Sequence, residues 1–485
     1  MRIKSTYFFL SLFCWLVATS INSVSAQNPR LGISWSFLPN TPNQISAQLN
    51  TFENIGIEVL ELTHPVSTTL LDSISNYPFE VYIRFNHNFL TATKITETRE
   101  NLVQEYNTLI NGYSEHTQIA AFGLYSYSQS FDENFTREFE SITTELKKNT
   151  NRSFYEVTSG NTTALDFSIT EITADSIIVE NTALLLSKEN SINDAKLLND
   201  LFNSRTELLF INSTWFFNAI HIHPRLLLSL GEVKNGSPFI LPEQKTEASS
   251  DPLNWPVIVF MLVWLSVGLH LKVSQNYRTL LFRFFTGHRF FVDDIMRYRE
   301  RSMTSGIFLF LQHAFLSGIT LYLVFSTLVS EKGLEAFYHF MPLLAIVGKN
   351  YFSVFIIGVL LSSLVQVIGV IWLYLPNKAM THLSQVMNLY TWIFHLDFLI
   401  VSIMLVVYLA GGSSTLIIIL SILYLLVWLT GFLLTSLDSS KYLQRGRIKY
   451  IFYTFGLHTL VNIGILVFVF ANAWTMDVLQ LITLL

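Results

Sequence analysis

Apolar and polar positions divide the chain into two unlike halves, with the change near Asp251. Downstream, apolar runs at 253–273, 305–329, 351–375, 393–411, 415–436 and 450–474 each come near or exceed the ~20 residues that cross a bilayer as a helix. Upstream, short strand-like stretches alternate with helix-like ones. Residues 31–38, 57–63, 79–85 and 119–127 read as strands, and 44–55, 67–75, 96–112 and 135–148 as the helices between and after them. The pattern then weakens, to strands at 154–158 and 165–172, a helix at 191–204 and a strand at 208–211. Strands alternating with helices predict a parallel α/β architecture, at this count a closed (β/α)8 barrel, followed by an all-α transmembrane bundle. The polar half is slightly short of the ~250 residues usual for eight units, so one or two units are expected to be reduced or missing.

The first 26 residues change the picture of where this half resides. Arg2 and Lys4 precede an apolar stretch at 7–18, and Val24-Ser25-Ala26 offers small residues for cleavage. This is the pattern of a secretory signal peptide cut after Ala26, with an apolar stretch too short to span comfortably. The expected organisation is therefore a signal at 1–26, an extracytoplasmic domain at 27–240, a linker at 241–252 and the bundle at 253–485. Loop charge agrees with it. Lys272, Arg278, Arg283, Arg289, Arg297 and Arg299 cluster after the first span, and Lys441, Arg445 and Arg447 after the fifth, while 330–350 and 411–414 hold few cations or none. Cation-rich loops stay in the cytoplasm, which puts the polar domain and the C-terminal tail outside a bacterial inner membrane. Between the first two spans, 277–303 interleaves Leu280, Leu281, Phe284 and Phe285 with Arg283, His288 and Arg289. That pattern predicts a helix lying in the interface, its cations against anionic headgroups.

Composition removes several function classes. Charged residues are only 13% of the chain and the net charge is −5, with the acidic excess in the polar half, so no nucleic-acid partner is indicated. The single cysteine, Cys14, lies inside the signal, leaving the expected mature chain without disulfides, thiol catalysis or cysteine metal ligands. No G-x-x-x-x-G-K-[ST] loop occurs, and no cofactor is implied. His221 and His223 form an isolated pair with no third ligand nearby, so no metal site is assigned. Sequons at Asn134, Asn151, Asn161 and Asn212 reflect a composition rich in Asn, Ser and Thr.

Period-two alternation assigns faces within the strands. Leu60, Leu62, Val81, Ile83 and Phe85 should face the helices, and Glu61, Thr63, Tyr82, Arg84 and Asn86 the barrel interior, making Glu61 and Arg84 neighbours as an ion pair or a substrate-contacting pair. His64, Asn86 and His87 follow strand ends, where barrels bind ligands. Glu156 and Glu171 are further carboxylate candidates. Tyr125 and Trp215 are candidate sugar platforms, whereas Trp35, alternating with Ile33 and Phe37, is assigned to the core.

The runs Leu31-Gly-Ile-Ser-Trp-Ser-Phe-Leu-Pro39, Ile57-Glu-Val-Leu-Glu-Leu-Thr-His-Pro65 and Val81-Tyr-Ile-Arg-Phe-Asn86 resemble the opening strands of (β/α)8 glycoside hydrolases. The resemblance covers about the first hundred residues of the domain. It implies a general acid ending the fourth strand and a nucleophile ending the seventh, flanking the scissile bond. The chain departs from this pattern. The fourth strand, ending Leu124-Tyr-Ser-Tyr127, has no carboxylate before Asp132, and the seventh candidate, 208–215, has none after Glu207. The membrane half, through Arg283-Phe-Phe-Thr-Gly-His-Arg-Phe-Phe-Val-Asp-Asp294, more distantly resembles Yip1-like bundles and integral membrane domains of Bacteroidota-type bacteria.

Ionisable residues within spans are costly and hence informative. His313, His395, Asp397 and His458, with Asn462 one turn from His458, are expected in the cytoplasmic half of the bilayer. His313 and His458 come to similar depth, which predicts a polar cluster between the second, fourth and sixth spans. Three functional readings follow. The missing carboxylate pair favours a non-catalytic barrel that binds a glycan or other envelope ligand, anchored by a bundle that can recruit membrane protein partners. The alternatives are an anchored glycoside hydrolase using Glu61 with Glu156 or Glu171, and a transporter or lipid-handling bundle using the histidines.

Overall fold

The structure, a computed structural model, describes residues 29–36, 41–129, 132–158, 165–172, 183–186, 195–204, 206–223, 225–242 and 254–484. The signal segment, Cys14, the sequon at Asn161 and the end of the first strand as read from sequence lie outside the described residues. The chain divides into two compact units, Met1–Glu247 and Ala248–Leu485.

The first unit is a closed barrel of eight parallel strands. They are β1 (Arg30–Trp35), β2 (Ile57–Thr63), β3 (Glu80–Arg84), β5 (Ile119–Ser128), β6 (Ser153–Thr158), β7 (Phe167–Ile172), β8 (Ala183–Leu186) and β9 (Leu208–Asn212), with the three-residue β4 (Asn88–Leu90) added alongside β5. β3 pairs with β5, and β9 returns to pair with β1, closing the ring. The helices are α1 (Pro42–Asn54), α2 (Thr68–Ile74), α3 (Ala92–Gly112), α4 (Glu133–Leu146), α5 (Ala195–Phe202), α6 (Ser213–Ile222) and α7 (Leu226–Lys234). Local chemistry sets their starts. Pro42 occupies the first turn of α1, and the side chains of Ser67, Thr91, Asp132 and Asn212 accept backbone N–H groups at the starts of α2, α3, α4 and α6.

The expected shortfall takes a specific form: all eight strands are present, and two connections are reduced. Residues 159–166 join β6 to β7 and 173–182 join β7 to β8, stretches shorter than the dozen or more residues of an ordinary crossover. The strand missing from the sequence reading, β8, has four residues, Ala-Leu-Leu-Leu, too short to show a period. As a result 208–211 belongs to the eighth strand rather than the seventh.

Two cores fill the barrel. Outside the ring, Ile33, Trp35, Leu60, Leu62, Val81, Ile83 and Phe85 pack with helix residues such as Phe52, Tyr106, Phe135 and Phe139. Inside, Tyr82 meets the rings of Tyr155, Phe167 and Phe210 at 5.6, 6.0 and 5.8 Å, an aromatic plug. Gly32 and Gly123 make room for it: a Cβ on either would stand 2.6 Å from Phe210 or Tyr155.

The second unit holds six helices long and apolar enough to cross a membrane: Trp255–Val273, Thr304–Leu328, Tyr351–Tyr374, Leu383–Leu409, Ser414–Ser440 and Arg447–Ala471. Their outward faces carry Leu265, Leu364, Val406, Ile419 and Phe468, each more than half exposed apart from neighbouring helices. Such a surface belongs in hydrocarbon, and this is a membrane protein. The fourth span starts ten residues before the expected 393 and passes through a 3-10 turn at Trp392–Phe394. Between the first two spans lie helices Gln275–Thr286 and His288–Met296. Tyr277, Leu280, Phe284 and Phe291 are buried there, while Phe282, Phe285 and Phe290 are exposed. Three of the cations are neutralised within the segment: Arg283 and Arg299 pair with Asp294 at 2.7 and 3.0 Å, and Arg297 with Asp293 at 2.9 Å.

Candidate functional site

From the level of the aromatic plug toward the strand C-termini, five polar side chains converge in the barrel, Tyr155 belonging to both groups and Glu61 lying in register with Tyr82. Glu61 on β2 is 1% exposed. Its Oε1 accepts a hydrogen bond from the Tyr155 hydroxyl at 2.9 Å and faces Arg84 Nε at 3.7 Å. Its Oε2 has no hydrogen-bond partner among the described residues. Glu171 on β7, also buried, accepts a short hydrogen bond from the Tyr127 hydroxyl. Arg84 ends β3, and its electrostatic surroundings include Glu61, Tyr155, Tyr127 and Glu171. β2 and β7 are four strands apart in either direction round the ring, so Glu61 and Glu171 stand on opposite walls.

The electrostatics follow from burial. Desolvation works against the Arg84 guanidinium, but the facing carboxylates and phenols outweigh it, and its pKa is raised above an already high ordinary value. Burial first, then the Glu61 charge, pushes the Tyr155 phenol well up, so it remains a hydrogen-bond donor. Tyr127 takes a left-handed backbone, φ 52°, as does Phe89, φ 60°, and their rings stack at 5.6 Å. Aromatic residues rarely accept that conformation, and here it holds the Tyr127 phenol against Glu171.

The other sequence candidates lie elsewhere. Glu156 alternates with Phe154, so it faces the helix layer, fully buried beside Tyr125 and away from Glu61. Tyr125 packs on Phe139 at 4.5 Å and Phe135 at 5.7 Å, because a bulge between Gly123 and Tyr125 turns it outward. Trp215 is 4% exposed on α6, since Asn212 ends the strand and caps that helix through Thr214 N and Trp215 N. Neither aromatic is available as a sugar platform. His64 bonds the Tyr113 hydroxyl at 2.7 Å and packs against Phe85, and His87 faces Glu105 at 3.3 Å over the Tyr106 ring, both in the helix layer. Desolvation lowers the pKa of both histidines; Glu105 opposes it at His87. Asn86 is exposed and accepts from Asn88 at 3.3 Å. Asp132, the first carboxylate after the fourth strand, is occupied as the α4 cap. Trp35 is core, bonded through its indole N–H to Gln48 at 2.9 Å. Tyr155 and Tyr127 were not among the candidates. For Tyr155 the signal is its place between helix-facing Phe154 and Glu156; for Tyr127 it is the parity shared with inward-facing Gly123.

In the bundle the expected five-residue cluster separates into three. His313 and Asp397, 3% and 0% exposed, join the second and fourth spans through a short hydrogen bond. The third contributor is Tyr424 on the fifth span, its ring parallel to His313 at 5.4 Å, rather than any residue of the sixth. His458 instead stacks on Phe432 at 3.9 Å between Trp372 and Trp428, and Asn462 donates to its carbonyl at 2.8 Å. His395 bonds the Trp392 carbonyl at 2.7 Å and the Tyr277 hydroxyl at 2.6 Å, tying the fourth span to the interhelical segment. Equal depth therefore did not mean contact, because the helices present these histidines in different directions.

Among the described residues no group of three His, Cys, Asp or Glu side chains could hold a metal ion. No family model, no curated protein and no solved structure matches the chain.

Proposed function

We propose that the barrel binds a neutral polar ligand, a sugar unit of an envelope glycan, at the C-terminal end of its strands, and that the bundle anchors it in a bacterial inner membrane with the barrel outside. The observation that carries this reading is the buried Oε2 of Glu61, with no hydrogen-bond partner among the described residues. An unsatisfied carboxylate oxygen in a dry site is expensive, and a ligand hydroxyl would satisfy it. Two acids against one base leave the cluster with a formal −1, which disfavours anionic ligands and suits sugar hydroxyls as donors. Barrel ligands bind at this end of the strands. The loop charges and the signal-like N-terminus support the orientation.

A glycan array and a peptidoglycan pull-down with the full-length protein in detergent test the proposal. Retention by the parent and at least tenfold weaker retention by Glu61→Gln is the expected result. No retention by the parent on either surface would refute it.

A second reading rests on the opposed carboxylates. Glu61 and Glu171 face one interior, each bonded to a tyrosine, a placement compatible with an acid and a base or nucleophile on either side of a glycosidic bond. Turnover of chromogenic glycosides, abolished in Glu171→Gln, would establish hydrolysis in place of simple binding.

A further inference from the structure

The second, third and fifth spans enclose a cavity of about 360 Å³, within the size range of small-ligand sites. It lies near the middle of the second span: Ser317 on its wall is 13 residues, or about 20 Å, from the start at Thr304 and 11 from the end at Leu328. Its walls are mostly apolar, and two of its lining residues, Leu361 and Leu425, are 56% and 53% exposed, so it reaches the lipid-facing surface. The floor is set where the second and third spans touch. A Cβ on Gly358 would stand 2.8 Å from Gly318 Cα, leaving no room for larger residues.

A chain of polar groups lines one side of this cavity. The Tyr424 and Ser317 hydroxyls are 2.6 Å apart, Ser317 and Ser362 2.9 Å, and Gln366 Nε2 donates to Ser362 at 3.2 Å. His313, paired with Asp397, closes one end. Two buried polar atoms of lining residues, Thr320 Oγ1 and Gln366 Oε1, have no partner among the described residues. Thr320 is 8% and Gln366 1% exposed. In hydrocarbon no water is at hand to satisfy them, and such groups are costly unless something polar arrives. The lining carries no unpaired charge to attract an ion, because its histidine faces an aspartate.

We propose that this cavity is a binding site for a neutral lipid that carries a hydrogen-bonding oxygen on a long apolar chain. The oxygen meets Thr320, Gln366 and the serines, and the chain leaves past Leu361 and Leu425 into the bilayer. Gln366 Oε1 can accept from a lipid alcohol, and the Thr320 hydroxyl can donate to a lipid carbonyl, so a polyprenol and a quinone share the recognised chemistry.

The test uses the full chain in nanodiscs with two photoreactive probes, a diazirine-tailed geranylgeraniol and a diazirine-tailed ubiquinone analogue, followed by peptide mapping. Labelling is expected on the peptides that carry Thr320, Leu361 and Leu425, competed by the matching unlabelled lipid. It should fall at least tenfold in Gln366→Leu, which keeps the volume but loses the acceptor, and in Ser421→Phe, which fills the space. Labelling by the alcohol probe alone assigns a polyprenol-type lipid, and by the quinone probe alone a quinone-type lipid. Labelling spread evenly over all six spans, no labelling by either probe, or equal labelling of parent and a monodisperse Gln366→Leu protein overturns the proposal.

Discussion

Glu61 and Asp397 are both almost wholly buried, yet the two halves of the molecule treat their acids differently. In the barrel the acid faces Arg84, a permanent cation whose side chain is still 19% exposed at the mouth. In the bundle it faces His313, an imidazole that is 3% exposed. The surrounding solvent explains the choice. A fixed ion that stays partly exposed keeps part of its hydration, whereas a fixed ion in hydrocarbon does not. An imidazole–carboxyl pair can hold its proton on either partner, and its total charge is the same in both arrangements. A buried carboxylate is thus balanced differently in the two halves, by a fixed cation in one and by a proton shared with an imidazole in the other, while each keeps one oxygen, Glu61 Oε2 and Asp397 Oδ1, without a partner among the described residues.

The sharpest way to break this contrast is to remove the fixed cation. Arg84→Met leaves Glu61 buried without its counter-charge and should destabilise the barrel by about 3–5 kcal/mol, the usual loss when one partner of a buried pair is deleted. Pulse proteolysis of the full-length protein in urea reads this directly. Adding Glu61→Gln should restore at least half of the loss, because the orphaned charge disappears with it. A double variant as unstable as Arg84→Met alone would mean that packing, not charge, holds this site.

The bundle should respond less. Asp397→Asn retains an acceptor for His313 and removes only the charge, so a loss of about 1 kcal/mol is expected, the scale of a single hydrogen bond made weaker. Thermal unfolding in a fixed detergent measures it. An Asn variant that unfolds as readily as Arg84→Met would show that Asp397 carries an indispensable charge, and the contrast would fail.

How far the chain could be read beforehand follows the same division. The strong strands were legible because one face of each packs on helices: Leu60 and Leu62, Val81 and Ile83 repeat with period two, which also set Glu61 and Arg84 inward. The spans were legible because hydrocarbon demands length and apolarity together. What escaped were interruptions of a period. Four residues cannot display one, so Ala183–Leu186 was missed. The bulge after Gly123 reversed Tyr125, and the cap at Asn212 converted the end of a strand reading into a helix carrying Trp215. In the membrane, depth could be counted from sequence but azimuth could not, since nearly uniform apolarity leaves no stripe to orient a helix. His458 was assigned to the wrong neighbours for that reason.

The smallest effect comes from a second histidine–aspartate pair, at the edge of the bundle rather than its centre. His288 Nε2 lies 2.7 Å from Asp438, which also holds Lys441 at 2.7 Å. The hydrogen bond to Asp438 raises the His288 pKa above its ordinary 6.5, with burial opposing. A histidine whose folded pKa is raised binds its proton more tightly in the native state. Its stabilisation is therefore complete below about pH 6.5 and fades as pH climbs through the raised value. The side chain is 36% exposed, so screening keeps the effect under about 1 kcal/mol. Unfolding midpoints between pH 6 and pH 9 should decline slightly in the parent and stay flatter in His288→Gln. If the slope is unchanged in that variant, the titration belongs to another group, and the edge pair is as internally balanced as the one at the centre.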